Sequence, residues 1–213
     1  MFLKHVLKPT TIPDPYRPQR DDSVIGLPAG LALLLLVALI PVLSYLWHQN
    51  PGLSEENGAI EWLQVVILIG AVEAHGLHAW RLPRSRLPFV LSASLATLAF
   101  AFSLREIDVL EFGESGIFLW IESALQVLKI AVGAALLVFL ASRMRLIMAS
   151  WPTLLRQPVL RISLAGGVLL LAGIPFDDNA LQLDAGLSRL IEELLELACY
   201  ALLFIAAMTY RQH

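Results

Sequence analysis

Two otherwise apolar stretches of this sequence carry charged side chains at helical spacing. In the first, Glu122, Gln126 and Lys129 are separated by four and three residues, which places them along one face of a helix. Carboxylates beside a lysine in an apolar environment can bind a cation, exchange protons or form a buried ion pair. Ionisable groups are expensive to place inside a membrane and tend to mark functional sites there. This stripe is therefore a candidate ligand-binding site.

A second stripe lies close to the C-terminal end of the chain. Its members, again at three- and four-residue spacing, are Arg189, Glu192, Glu193, Glu196 and Tyr200. At 1.5 Å rise per residue, Glu122 and Glu196 fall at similar depth in their apolar runs, and Lys129 falls deeper. We therefore expect Glu122, Glu196 and Lys129 to form a buried ligand-binding cluster. Gln126 and Tyr200 are expected close to it.

Acidic residues near the ends of the apolar runs are expected to form the entrance to this cluster. Glu106 and Asp108 belong to a charged segment between two runs, and they would attract a ligand. Glu61 and Gln64 lie at the start of the second run and share one helical face. They are expected to form the outer lip of the same ligand-binding site.

The remaining polar residues have structural interpretations. Arg105, Arg189 and Glu193 are expected to form structural ion pairs with neighbouring side chains. His75 and His78 are spaced so that two imidazoles could approach one metal ion. Two ligands do not complete a site, and we predict no metal there. The sequence leaves any cofactor undetermined.

The elements that must position these residues are long apolar helices. The chain has 213 residues, of which 57% are hydrophobic and 15% charged, whereas soluble domains carry about 25% charged residues. Apolar runs of about 20 residues match the hydrocarbon layer of a bilayer. They lie near 24–47, 58–80, 87–104, 116–141, 159–175 and 188–210. The sequence predicts an all-α bundle of six transmembrane helices over residues 24–213, preceded by a proline-rich cytoplasmic tail, residues 1–23.

The distribution of basic residues predicts the orientation of the bundle. Twelve of the fifteen Lys and Arg residues fall in the two termini and in the second-to-third and fourth-to-fifth connections. Because such residues are retained in the cytoplasm, we predict that both termini are cytoplasmic. Topology accounts for the basic residues, so no nucleic-acid partner is expected.

Three charged motifs resemble a group of uncharacterised six-span bacterial inner-membrane proteins. They are Glu55-Glu56-Asn57-Gly58-x-x-Glu61-Trp62-Leu63-Gln64, Arg105-Glu106-Ile107-Asp108 and Glu192-Glu193-Leu194-Leu195-Glu196-Leu197. The resemblance implies a multi-pass protein of the bacterial inner membrane, and it implies no activity.

The sequence favours an outward-facing acidic cavity within the membrane. Such a cavity would bind a cation, a proton or a polar lipid head group, for small-solute transport. One alternative is an intramembrane hydrolase or transferase that acts on a lipid-linked substrate at the outer leaflet with paired carboxylates. Another is an accessory subunit whose charges pair with a membrane-protein partner or with a second copy of the chain.

Overall fold

The computed structural model describes residues 27–54, 58–107, 109, 115–177, 180 and 182–210. Over these ranges the chain is helical and contains no strand. The helices are α1 (Leu27–Gln49), α2 (Ala59–Trp80), α3 (Leu87–Arg105), α4 (Gly116–Ala149), α5 (Trp151–Arg156), α6 (Pro158–Asp177) and α7 (Ala185–Met208). A 3-10 turn, Pro51–Ser54, follows α1. The predicted tail, Asp108 and the first three residues of the Glu55 motif lie outside the described residues.

Five of the described helices, α1, α2, α3, α4 and α6, are long and apolar enough to cross a membrane. This finding is consistent with the predicted helical, multi-pass membrane protein, whereas the sixth span and the cytoplasmic side of both termini stay predictions. Helix α4 is longer than the predicted fourth apolar run, because it continues from residue 141 to Ala149. Arginine is a good helix former, so Arg143 and Arg145 do not end the helix.

Helix α7 lies at the centre of the bundle. It packs against α1, α2, α3 and α6, and it buries side chains along its whole length, among them Leu190, Leu197 and Leu203. Its N-terminal half carries one arginine and three glutamates, so it is not among the five most apolar helices. Placing the charged half of α7 among other helices brings those charges into the protein interior.

The packing of α6 on α7 depends on a close backbone approach at Gly166. A Cβ atom on this residue would lie 3.0 Å from the carbonyl oxygen of Cys199. Even an alanine at position 166 would therefore require the backbone of α7 to move by a few tenths of an ångström. Small residues at helix contacts are a common means of bringing membrane helices together.

Helix α4 lies at the edge of the bundle. It packs along α3 and, at its end, against α5, and none of its 34 residues is buried. Phe89 and Phe139 mark the contact with α3, with ring centroids 6.3 Å apart. Most of the surface of α4 is consequently left uncovered by the described part of the chain.

The bundle has two ends of different character. At one end α2 and α7 begin and α3 and α6 terminate, and acidic side chains gather there. We call this the acidic end. At the opposite end α2 and α7 terminate beside His75 and Tyr210, and we call it the histidine end.

Candidate functional site

A partly open cavity of about 520 Å³ lies at the acidic end, between α2, α3, α6 and α7. Its described lining contains six carboxyl groups and two guanidinium groups, an excess of four acidic side chains. The lining residues are Glu61, Arg105, Glu106, Phe176, Asp177, Ala185, Ser188, Arg189, Glu192, Glu193 and Glu196. Carboxylates that lie this close together cannot all be ionised without a counter-ion. The cavity is therefore suited to binding a cation or to holding some of its carboxyl groups protonated.

An ion pair between α3 and α7 lies at the wall of this cavity. Arg105 Nη2 donates a hydrogen bond of 2.6 Å to Glu196 Oε1. The side chain of Arg105 is 49% exposed, whereas that of Glu196 is only 8% exposed. Arg105 Nε also lies 4.0 Å from Glu106 Oε1. Arg105 thus neutralises the buried carboxylates of the cavity wall, those of Glu196 and Glu106.

The buried side chain of Tyr200 holds Glu106 in place. The hydroxyl of Tyr200 donates a hydrogen bond of 2.7 Å to Glu106 Oε1, and the Tyr200 ring is fully buried against Phe102, with centroids 5.4 Å apart. The pKa of Glu106 is raised to about 7: burial is the largest cause, the neighbouring charge of Glu196 also raises it, and the hydrogen bond from Tyr200 lowers it. Glu106, which follows the last residue of α3, therefore titrates close to neutral pH.

A second carboxyl group is held by a buried amide. Gln64 is fully buried, and its Nε2 donates to Glu193 Oε2 at 2.9 Å and to the Glu193 backbone carbonyl at 3.1 Å. Within the described ranges Glu193 forms no ion pair, so the structural ion pair expected for it is replaced by this contact. Gln64 Oε1 is buried and accepts no hydrogen bond from the part of the chain that the structure describes. Gln64 consequently fixes the side chain of Glu193 rather than lining the cavity itself.

The other arginine of the cavity also has an acidic neighbour. Arg189 Nη2 lies 3.6 Å from Glu61 Oε1 and so joins α7 to the start of α2. Close by, the hydroxyl of Ser188 donates a hydrogen bond of 2.9 Å to the Phe176 carbonyl and ties α7 to the end of α6. Both guanidinium groups are thus already paired, and the acidic excess of the cavity remains.

The stripe on α4 does not join this site. Lys129 Nζ lies 3.9 Å from Glu122 Oε1, and Gln126 Nε2 donates a hydrogen bond of 2.7 Å to the same oxygen. Among the described residues neither Glu122 nor Lys129 bonds to Glu196, which pairs with Arg105 instead. The structure therefore does not bring the three residues of the expected cluster together: α4 packs along α3, so equal depth does not make Glu122 and Glu196 neighbours.

The cavity has an apolar floor. Beneath Tyr200 the core is closed by buried side chains, including Leu68, Ala71, Ala99 and Leu203. These residues separate the acidic end of the bundle from the histidine end. None of the described residues that line the cavity belongs to the histidine end.

At the histidine end, His75 connects α2 to the last turns of α7. It is fully buried, with Nε2 3.0 Å from the Leu203 carbonyl and Nδ1 2.7 Å from the Tyr210 hydroxyl. Because a carbonyl only accepts, Nε2 carries the proton and Nδ1 accepts from Tyr210. The ring of His78 packs edge-on against Tyr210, with centroids 3.6 Å apart. These contacts show His75 as a structural residue of the core, which joins α2 to the end of α7.

Sequence reasoning did not assign Asp177, Ser188 or Glu192 to the site. Glu192 was visible in the charged stripe of the sixth run, but its position on the cavity wall depends on where α6 ends. Within the described ranges no group of three or more His, Cys, Asp or Glu side chains has the arrangement of a metal site. Comparison with protein-family models, with curated proteins and with solved structures finds no match.

Proposed function

We propose that α7 is a sixth membrane span and that both chain termini are cytoplasmic. Its 24 residues would extend for about 36 Å, which is enough to cross the hydrocarbon layer. The proposal is supported by the central position of α7, where Arg189, Glu193 and Glu196 contact polar side chains of other helices instead of lipid. The acidic end then faces outward, and the basic connections described above lie on the cytoplasmic side. We place the protein in the bacterial inner membrane.

In this orientation the cavity binds a small cation or the cationic group of a polar molecule. The observation that carries the proposal is the excess of carboxyl groups in a cavity whose two arginines, Arg105 and Arg189, are already paired. Asp177 and Glu192 form no ion pair with the described residues, so they are available to a ligand. A cation would relieve the mutual repulsion of these groups, and the affinity for anions would be low.

Proton exchange accompanies cation binding at this site. With a pKa of about 7, Glu106 is partly protonated at neutral pH. A cation that enters the cavity favours the ionised carboxylate, so binding releases a proton. A group with these properties can couple the movement of a solute to that of protons, and we assign the protein to small-solute transport. The apolar floor beneath Tyr200 would then be the closed inner gate of an outward-open state.

Flux into proteoliposomes tests this assignment. Purified protein is reconstituted, and uptake of labelled sodium and of labelled tetramethylammonium is measured with and without a pH gradient. We expect cation uptake that depends on the gradient and is reduced in Glu192→Gln, while Glu73→Gln, which alters an exposed carboxylate on α2 far from the cavity, behaves as the unmodified protein. Uptake equal to that of empty liposomes under all conditions would refute transport of these cations.

A lipid-linked hydrolase or transferase is the second candidate. The observation that favours it is the closed floor, because an enzyme that works at one membrane face needs no route to the other. Glu106 could deliver a proton and a neighbouring carboxylate could accept one. Incubation with liposomes of phosphatidylethanolamine and phosphatidylglycerol, followed by mass spectrometry of the lipids, separates the two candidates. New lipid products that require Glu106 would favour the enzyme.

A further inference from the structure

The uncovered side of α4 carries a polar group in the middle of the membrane. Gln126 lies ten residues after the first residue of the helix, at a depth of about 15 Å, which is half of the hydrocarbon layer. The residue is exposed. One N–H of its amide is used by Glu122, and its carbonyl oxygen accepts no hydrogen bond from the described residues. An unpaired amide in hydrocarbon is costly, so a membrane protein normally covers such a group with another helix.

The charges beside Gln126 are already neutralised within the chain. Glu122 and Lys129 pair with each other on the side of α4 that turns towards α3, where their side chains are 15% and 23% exposed. The surface around Gln126 is therefore polar at one position and has no net charge. A partner that fits it must supply an amide or a similar neutral group and needs no opposite charge.

We propose that this face of α4 is the interface of a homodimer, with the Gln126 amides of the two copies paired across a two-fold axis. Copies inserted in the same orientation share an axis along the membrane normal, so a residue near the axis meets its own counterpart at equal depth. An amide has both a donor and an acceptor and is complementary to itself. A second copy of the chain therefore supplies the group that Gln126 lacks.

The shape of the same face permits close approach. Gly133 lies seven residues, about two turns, beyond Gln126, and a Cβ atom built on it would meet nothing within 4 Å. A glycine with open space beside it lets a neighbouring helix backbone come near. Leu137 and Met144, 70% and 52% exposed, continue this side of the helix. The face thus combines one polar contact, one small residue and exposed apolar side chains.

Cysteine cross-linking in native membranes tests the interface. Cys199 is the only cysteine in the chain, so Cys199→Ser provides the background. In that background, Leu137→Cys lies within about 20° of Gln126 around the helix, whereas Ala135→Cys lies on the opposite side. We expect oxidation to give a covalent dimer of the chain with Leu137→Cys and little with Ala135→Cys. Equal cross-linking at the two positions, no dimer at Leu137→Cys, or a product containing a different protein would overturn the proposal.

A second measurement uses variants that leave the monomer intact. Gln126→Leu removes the amide, and Gly133→Leu fills open space, so neither disturbs a contact inside one chain other than the hydrogen bond to Glu122. The dimer fraction of fluorescently labelled protein is measured by single-molecule photobleaching as it is diluted in lipid. We expect each variant to weaken dimerisation about ten-fold. Unchanged dimer fractions in both variants, or a monomeric unmodified protein, would refute the interface.

Discussion

Arg105 at the end of α3 and Glu196 on the central helix α7 are joined by a hydrogen-bonded ion pair of 2.6 Å. The two residues are 91 positions apart in the chain, and their pairing closes one wall of the acidic cavity. The carboxylate is almost completely buried, whereas the guanidinium is half exposed. Glu196 therefore depends on Arg105 for neutralisation far more than Arg105 depends on Glu196.

Removing this arginine should destabilise the fold. Loss of one partner from a fully buried pair costs about 3–5 kcal/mol, and because Arg105 is half exposed we expect about 1–3 kcal/mol for Arg105→Met. The free energy of unfolding in lipid or mild detergent measures the effect. Arg86→Met, at an exposed position that precedes the first residue of α3, is the control. Equal small losses of unfolding free energy in Arg105→Met and Arg86→Met would show that the ion pair contributes nothing to stability.

A double substitution separates the ion pair from the packing of its side chains. Arg105→Met combined with Glu196→Met removes both charges, so no unpaired carboxylate is left in the interior. We expect the double variant to be more stable than Arg105→Met alone, by about 1 kcal/mol or more. A double variant whose loss equals the sum of the two single losses would argue against direct coupling.

The stability of the protein should depend on pH through Glu106. Its pKa is raised in the folded state from 4.5 to about 7, so the folded protein binds more protons than the unfolded chain between these values. Stability from this group is therefore greatest at low pH and is lost as pH rises through about 7. The pH profile of the unfolding free energy should flatten in this window in Glu106→Gln. A profile identical in both proteins would contradict the raised pKa.

Tyr200 should tune the protonation of Glu106. The hydroxyl of Tyr200 donates to the Glu106 carboxylate and so stabilises its ionised form. In Tyr200→Phe we expect the pKa of Glu106 to rise above its value in the unmodified protein. Infrared titration of the carboxylic acid band, assigned by its absence in Glu106→Gln, measures the shift. Tyr45→Phe, which alters an exposed tyrosine on α1, should leave the titration unchanged, and a fall in pKa for Tyr200→Phe would contradict the hydrogen bond.

His75 should stabilise the histidine end without affecting the cavity. His75→Phe keeps an aromatic ring but loses the hydrogen bonds to Tyr210 and to the Leu203 carbonyl. We expect a loss of about 1–3 kcal/mol in unfolding free energy and unchanged cation binding. His78→Phe retains the ring packing on Tyr210 and should cost less. Comparable losses in the two variants would show that the His75 hydrogen bonds do not determine the packing of α7.

Much of the helical framework follows from the sequence because apolar length and charge content are local properties. The ends of α2, α3 and α6 lie within two residues of the predicted runs. The same periodicity places Glu196 and Tyr200 on one face of α7, and both do turn into the bundle. Depth along a helix can be counted from the residue number, so the position of each charged side chain along the helix axis is also predictable.

The neighbours of each charge are not predictable in this way. Glu122 and Glu196 have similar depth, but depth does not determine the order of helices around the bundle. The position of α4 beside α3 follows from contacts between residues distant in sequence, such as Phe89 with Phe139. For the same reason, nothing in the local pattern indicates that His75 binds Tyr210, 135 residues away.

The central claim is that the acidic cavity binds cations, and calorimetric titration tests it most directly. Purified protein in lipid nanodiscs is titrated with sodium chloride and with tetramethylammonium chloride at several pH values. Phosphate serves as the anionic control. We predict cation binding that strengthens as pH rises through about 7, since ionisation of Glu106 adds a carboxylate. Glu192→Gln should weaken it about ten-fold, and Glu73→Gln should not. Cation affinity that is absent, or that is equal in Glu192→Gln and Glu73→Gln, would contradict the account.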